Sequence, residues 1–264
     1  MNQDNFNISM MNSSEWPELR HFYVSSLTIP WPEDTGPGFV DLYEIDMVQI
    51  SRNSSHFLPY LSQKEHARAE KMVNPENRAF SVCSYGLRRE ILSRYLNINP
   101  VSISFHENIY GKPDINNQNP DTVSFNASHS KDRLIIGISM NREIGVDIQV
   151  IDDTVQVNKI AERLFSKNDL DCLIQNTNDS LRTFYRIWTA REAYSKAVGM
   201  GFSLPYLDYP DFSNLNESAV IFGGERVWYL FRIAEMGEYE CCVIVSDINN
   251  RDLHEAPDSL LSRI

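Results

Sequence analysis

The chain has 264 residues, 42% of them hydrophobic and 23% charged, enough to bury one large core or two modest ones and too apolar for wholesale disorder. Its 24 basic against 36 acidic side chains leave a formal charge of −12, which opposes non-specific adhesion to phosphodiester backbones or anionic membranes, so neither nucleic acid nor a membrane is an expected partner. The first fifteen residues show no signal-peptide pattern, and runs such as 134–138 are too short for a bilayer. Cys83, Cys172, Cys241 and Cys242 follow neither disulfide nor metal-ligand spacing, so a cytoplasmic, monomeric protein is expected.

Residues 1–38 are rich in Asn, Ser and Pro, and Pro30, Pro32, Gly36, Pro37 and Gly38 read as a flexible extension without regular structure. A strand follows over 39–45. A helical stretch over 62–97 is marked by Leu87, Ile91, Leu92, Tyr95 and Leu96 at three- and four-residue intervals. Short strands over 101–106, 123–126, 134–140 and 144–150 come next, with a turn at Tyr110-Gly111-Lys112-Pro113. Asp152, Asp153 and Thr154 are placed to cap a helix whose apolar stripe is Val157, Ile160, Ala161, Leu164 and Phe165, and Ser166 with Asp169 starts another. A long helix over 180–198 stops at Gly199 and Gly201, and strands over 226–234 and 239–246 close the chain. The expected fold is α+β, with a half at 39–141 and a half at 142–264. These would be pseudo-two-fold duplicates, each a small antiparallel sheet with helices, with the active site in the cleft between them.

Four segments carry chemistry. In a strand over Gly145-Val146-Asp147-Ile148-Gln149, Asp147 and Gln149 share one face and offer oxygen atoms to a hard cation; the competing reading is a strand-end carboxylate paired with a base. On the 180–198 helix, Glu192 and Lys196 lie one turn apart, either as a surface ion pair, as part of a Thr189–Glu192 capping box, or as site residues on a close-packed face. Phe125-Asn126-Ala127-Ser128-His129-Ser130 sets hydroxyls and an imidazole at a strand end without the G-x-S-x-G elbow of a Ser-His hydrolase, which suits an anion better than a nucleophile. Between Lys64 and Arg94 seven basic residues face four acidic ones, a local +3 that reads as a solvated helix face or a patch for a polyanion.

Taken in order, the Tyr110–Pro113 turn, the Phe125–Ser130 strand, Gly145–Gln149 and Trp188-Thr189-Ala190-Arg191-Glu192-Ala193-Tyr194-Ser195-Lys196-Ala197 resemble the Sfp-type 4'-phosphopantetheinyl transferases. The resemblance implies Mg²⁺-dependent transfer of phosphopantetheine from coenzyme A to a serine of an apo acyl or peptidyl carrier protein, releasing adenosine 3',5'-bisphosphate. It implies Asp147 and Glu192 as metal carboxylates, and Lys196 on the pyrophosphate. Ser128 and His129 would bind the adenosine-phosphate end, with His129 also stabilising charge in the transfer. Gly111, Lys112 and Pro113 would lie beside the adenine, and Arg68, Lys71 and Arg78 would contact phosphates. Gln149 stands where many relatives carry a third acid, and is assigned to the metal alongside them. Two other readings keep the same site: a coenzyme A-binding homologue without turnover, and a Mg²⁺-dependent nucleotide pyrophosphate hydrolase. A docking patch for the carrier is expected at 159–165, and the motifs leave open which pathway's carrier is used.

Overall fold

Asn74 starts the longest helix: its side chain accepts from the backbone N–H of Glu76 and Asn77, and Pro75 supplies a preset first-turn φ. The helix ends at Asn97, whose left-handed φ of 51° stops it. Local signals of this kind are met along the whole chain. The structure, a computed structural model, describes residues 16–115, 122–224, 226–234 and 236–248. In chain order these form β1 (Glu18–Val24), β2 (Phe39–Asp46), α1 (Met47–Ile50), α2 (Gln63–Glu70), α3 (Pro75–Leu96), β3 (Phe105–Glu107), β4 (Pro113–Ile115), β5 (Val123–Ser130), β6 (Arg133–Met140) and β7 (Ile144–Val150). After β7 come α4 (Val157–Leu164), α5 (Lys167–Gln175), α6 (Ser180–Val198), β8 (Ser218–Gly223), β9 (Arg226–Arg232) and β10 (Tyr239–Ser246).

The expected α+β architecture is present. One sheet has the order β1-β2-β6-β5, the other β7-β10-β9-β8, and β3 with β4 makes a separate hairpin. All neighbouring strands are antiparallel except β1, which runs parallel to β2. α3 covers one face of the first sheet, packing Val82, Leu87, Ile91 and Leu92 against Tyr43, Ile45 and Ile136. α6 covers the second, packing Ile187, Ala190 and Ala193 against Leu230, Cys242 and Ile244. The opposite faces of the two sheets share a third core that joins Val40, Leu42 and Ile135 to Val146, Ile148 and Val243.

Several expectations are corrected in detail. β1 lies inside the stretch read as irregular, where Arg20 is held by Asp41 of β2 through two bonds of 2.6 and 2.9 Å; residues 1–15 of that stretch lie outside the described residues. The single helical stretch divides into α2 and α3, because Asn74-Pro75 begins a new helix. The strand expected over 101–106 is a 3₁₀ turn at Pro100–Ser102 followed by the short β3. α4 starts at Gln156 with no side-chain cap, since Asp152 spends its oxygen on Thr154 at 2.7 and 2.8 Å. α5 does begin with the Ser166–Asp169 capping box, and α6 spans the expected residues to Gly199, whose φ is 82°.

The basic run of the first half is partly consumed inside the protein. Glu65 closes the capping box of α2 with Ser62 and also receives Arg89 Nε at 2.7 Å and Arg88 Nη2 at 3.0 Å. Despite burial, which disfavours its charge, the bonds from Ser62 and the bond and charge of Arg89 hold its carboxyl below the ordinary glutamate value. A lowered folded value means that the stabilisation is fully present above the unfolded value of about 4.3 and is lost as pH falls through the folded one. Acid titration of the denaturant midpoint should therefore show a drop below about pH 4 that Glu65→Gln largely removes. An unchanged acid limb in that variant would show the pairing to be energetically silent.

β7 can approach α6 because residue 145 is glycine: a Cβ there would sit 2.0 Å from Ala193 O and 2.3 Å from Ala197 N, both backbone atoms. Gly145→Ala should cost about 3 kcal/mol or more. Chemical denaturation measures this, and a wild-type midpoint would contradict so tight a contact.

Candidate active site

The free edge of β5 faces the free edge of β7, and side chains take the place of a backbone ladder between them. Asn126, Ser128 and Ser130 alternate along β5 and so share a face. Asn126 Oδ1 accepts from Val146 N at 2.9 Å and Ser130 Oγ from Val150 N at 2.9 Å, while Ser128 Oγ, between them, donates to Asp147 Oδ1 at 2.8 Å. The two halves are thus joined at the very strand that carries Asp147.

Asp147 is 2% exposed, which demands partners for its carboxylate. Oδ1 receives Ser128 and, at 2.6 Å, Lys196 Nζ; Oδ2 receives Gln149 Nε2 at 3.1 Å. Lys196 reaches across from α6 and also donates to Ser128 Oγ at 3.0 Å and Val146 O at 3.1 Å. The ion pair of Lys196 is therefore with Asp147 and not with Glu192, one turn away on its own helix. The capping-box alternative also fails, because Thr189 Oγ1 donates back to Tyr185 O within the helix.

Glu192 is half-buried, and its carboxylate has no hydrogen-bond or ion-pair partner among the described residues. Burial, and then the charge of Asp147, push it up to about 7 against the pull of Lys196 and Arg191. A carboxylate in this condition takes up a proton or a cation readily. His129, whose ring sits 5.1 Å from that of Phe80 at the start of α3, faces the same region. Desolvation and the Lys196 charge lower its pKa, with Asp147 opposing them.

Among the described residues no three His, Cys, Asp or Glu side chains form a metal cluster. The oxygen donors present are Asp147, Glu192 and the amide of Gln149. That set still suits Mg²⁺, which keeps several waters and takes one or two protein carboxylates, and Glu192 supplies a carboxylate short of a positive neighbour.

The remaining site candidates lie apart from this centre. Gly111 occupies the β3–β4 turn with φ of 88°, and Lys112 Nζ is turned onto Glu143 at 3.1 Å and the α6 carbonyl of Ala197 at 2.9 Å, with Pro113 beginning β4. Arg68 stands 3.6 Å from Glu107, Arg78 donates to Met72 O, and Lys71 is exposed at the end of α2; none hydrogen-bonds the Asp147 group. The sequence points to the Ser130 hydroxyl only as a group suited to an anion; that Asn126 and Ser130 align β5 with β7, and that Asn108 donates to Gly199 O at 2.8 Å and ties the hairpin to the end of α6, is not visible in it. The alternating Asn-x-Ser-x-Ser was the available signal for the first two.

Comparison with known proteins bears on both halves. The sequence pattern of the 4'-phosphopantetheinyl transferase superfamily matches residues 143–243, and that of the 4'-phosphopantetheinyl transferase N-terminal region matches residues 49–140. The chain is 30% identical over 164 residues to the 4'-phosphopantetheinyl transferase HetI of Nostoc sp., covering 61% of this chain and 69% of that protein. It is 29% identical over 207 residues to gsp of Aneurinibacillus migulanus, covering 76% and 84%. It is 30% identical over 163 residues to Sfp of Bacillus subtilis, covering 61% and 70%.

Proposed function

The chain belongs to the 4'-phosphopantetheinyl transferase superfamily and is a transferase, and from that premise we propose that it moves the phosphopantetheine arm of coenzyme A onto a serine of an apo carrier protein. The observation that carries the reading is the Lys196–Asp147–Ser128 group with Glu192 beside it, set where the two halves join. The halves are taken as 39–141 and 142–264, with the coenzyme lying between them.

Asp147, Glu192 and Gln149 are the residues that would hold Mg²⁺, which when bound neutralises charge on a pyrophosphate and polarises its phosphorus. The serine hydroxyl of the carrier forms a bond to the β-phosphorus, the bond from that phosphorus to the bridging oxygen breaks, and adenosine 3',5'-bisphosphate leaves with the electron pair. The serine proton passes to Glu192, directly or through a water. Lys196 lies on the same wall and offers its ammonium to the phosphoryl oxygens, as does His129 its imidazole. Ser128 positions Asp147 and Lys196 while presenting its hydroxyl toward the phosphate end of the coenzyme. Gly111, Lys112 and Pro113 would border the adenine, and Arg68, Lys71 and Arg78 would meet the outer phosphates as exposed cations. No helix among the described residues is long and apolar enough to cross a membrane, and a cytoplasmic monomer fits this reaction.

Incubation with Mg²⁺, coenzyme A and a panel of apo carriers should yield a carrier heavier by one phosphopantetheine group. Asp147→Ala should abolish that gain and Lys196→Ala should slow it by about a hundredfold or more. Coenzyme A binding without a mass gain on any carrier would support the non-catalytic homologue instead, and release of adenosine bisphosphate with no carrier present would support the hydrolase.

α4 is the surface proposed to receive the carrier. Lys159, Arg163 and Leu164 are exposed on it, whereas Phe165, counted in the same patch from the sequence, is 2% exposed and belongs to the core. Carriers are commonly acidic, so a local basic and apolar face must overcome the repulsion of an acidic enzyme. Arg163→Glu should raise KM for the carrier several-fold and leave KM for coenzyme A unchanged; equal rises in both would place the carrier elsewhere.

A further inference from the structure

On the α6 side of the second sheet stands a buried cation that the transfer reaction does not use. Arg232 ends β9 opposite Cys242 of β10 and is 7% exposed. Its Nη2 donates to Phe212 O at 3.3 Å, but its Nε and Nη1 find no acceptor among the described residues. Buried donors without acceptors are rare in native proteins, and a guanidinium cannot escape the difficulty by losing its proton.

Arg182 and Arg186, one turn apart on α6, converge on the same place, and with Arg232 they line a cavity of about 100 Å³. Among the described residues its acidic members are Glu240, which is 4% exposed and lies 2.5 Å from Arg182 and 3.5 Å from Arg186, and Glu217, which is exposed. Three guanidiniums against two carboxylates leave positive charge over. The cavity is large enough for more than a single water, and guanidinium forks match tetrahedral oxyanions better than chloride.

We propose that this cavity binds a small oxyanion, inorganic phosphate or the phosphate group of a phosphomonoester, with Arg232 as the anchor and Arg182 and Arg186 as the outer clamp. Both outer arginines belong to α6 and precede Glu192 and Lys196, so this site and the Asp147 group occupy different stretches of one helix.

Calorimetric titration of inorganic phosphate into the full chain, at constant ionic strength with chloride as the balancing anion, tests this. The expected result is saturable binding that is lost in Arg232→Met and weakened about tenfold or more in Arg186→Gln, the size of one charge-assisted hydrogen bond. Both variants should retain wild-type circular dichroism and wild-type carrier modification. A parallel titration with glycerol phosphate separates the two sources: comparable affinity assigns an esterified ligand, and no binding assigns the free ion. Absence of saturable phosphate binding overturns the proposal. Binding that survives unchanged in both variants also overturns it, because the phosphate then sits elsewhere, as at the Ser128–Lys196 group. Should Arg232→Met fail to fold, Arg182→Gln beside Arg186→Gln carries the same comparison.

Discussion

An edge strand leaves a row of backbone groups unpaired, and the outer edge of β7 is where this protein has to answer that constraint. The answer is a row of short polar side chains. Asn126 and Ser130 take two β7 amides, and Ser128 takes the carboxylate between them. Side-chain bonds hold the strands farther apart than a ladder would. The side chain of Asp147 is therefore directed into the junction, within reach of α6, and is not merely one more member of a continuous sheet. The helix can in turn approach closely because Gly145 offers no side chain to it. Seam, glycine contact and lysine reach together form one geometric solution.

The electrostatics follow from that packing. A carboxylate as buried as Asp147 needs a cation, and Lys196 supplies it at 2.6 Å. Its like-charged neighbour Glu192 is then left without one, and burial together with Asp147 raises its pKa. Glu192, one turn from a lysine already committed to Asp147, is therefore the carboxylate left open to a positively charged ligand. The basic residues of the first half divide by the same logic: Arg88 and Arg89 are spent on Glu65, whereas Lys71 remains exposed and Arg68 and Arg78 have only a partly solvated carboxylate or a backbone carbonyl as partner.

Much of this was legible in the residues. β7, β10 and α6 match their expected bounds, because continuous apolar runs and a glycine stop leave little room for another assignment. Asp147, Gln149, Glu192 and Lys196 stand out through order and spacing of short motifs, which need no knowledge of tertiary contacts, and the structure gathers Gln149 and Lys196 onto Asp147. β1 was hidden because Glu18, Arg20 and His21 break the apolar pattern; its place is fixed by Arg20 gripping Asp41, a contact between residues distant in sequence. β8 is only six residues long, and Ala219 and Ile221 are its two buried positions, too brief an alternation to stand out in the sequence. The partner of Lys196 was equally hidden, since helical spacing offered Glu192 while the tertiary fold presented Asp147. Arg232 sat unnoticed in a strand that reads as ordinary, and only its burial reveals unmet donors.

The seam has one more effect. Ser128 belongs to the first half and Asp147 and Lys196 to the second, so the atoms that fasten the halves are among those that would greet a ligand. Any molecule that bound across them, and not to the separated halves, would strengthen the junction by an amount that grows with its concentration relative to its Kd, and separation of the halves would first have to expel it. Cohesion of the whole fold would thereby rise and fall with whatever occupies that junction.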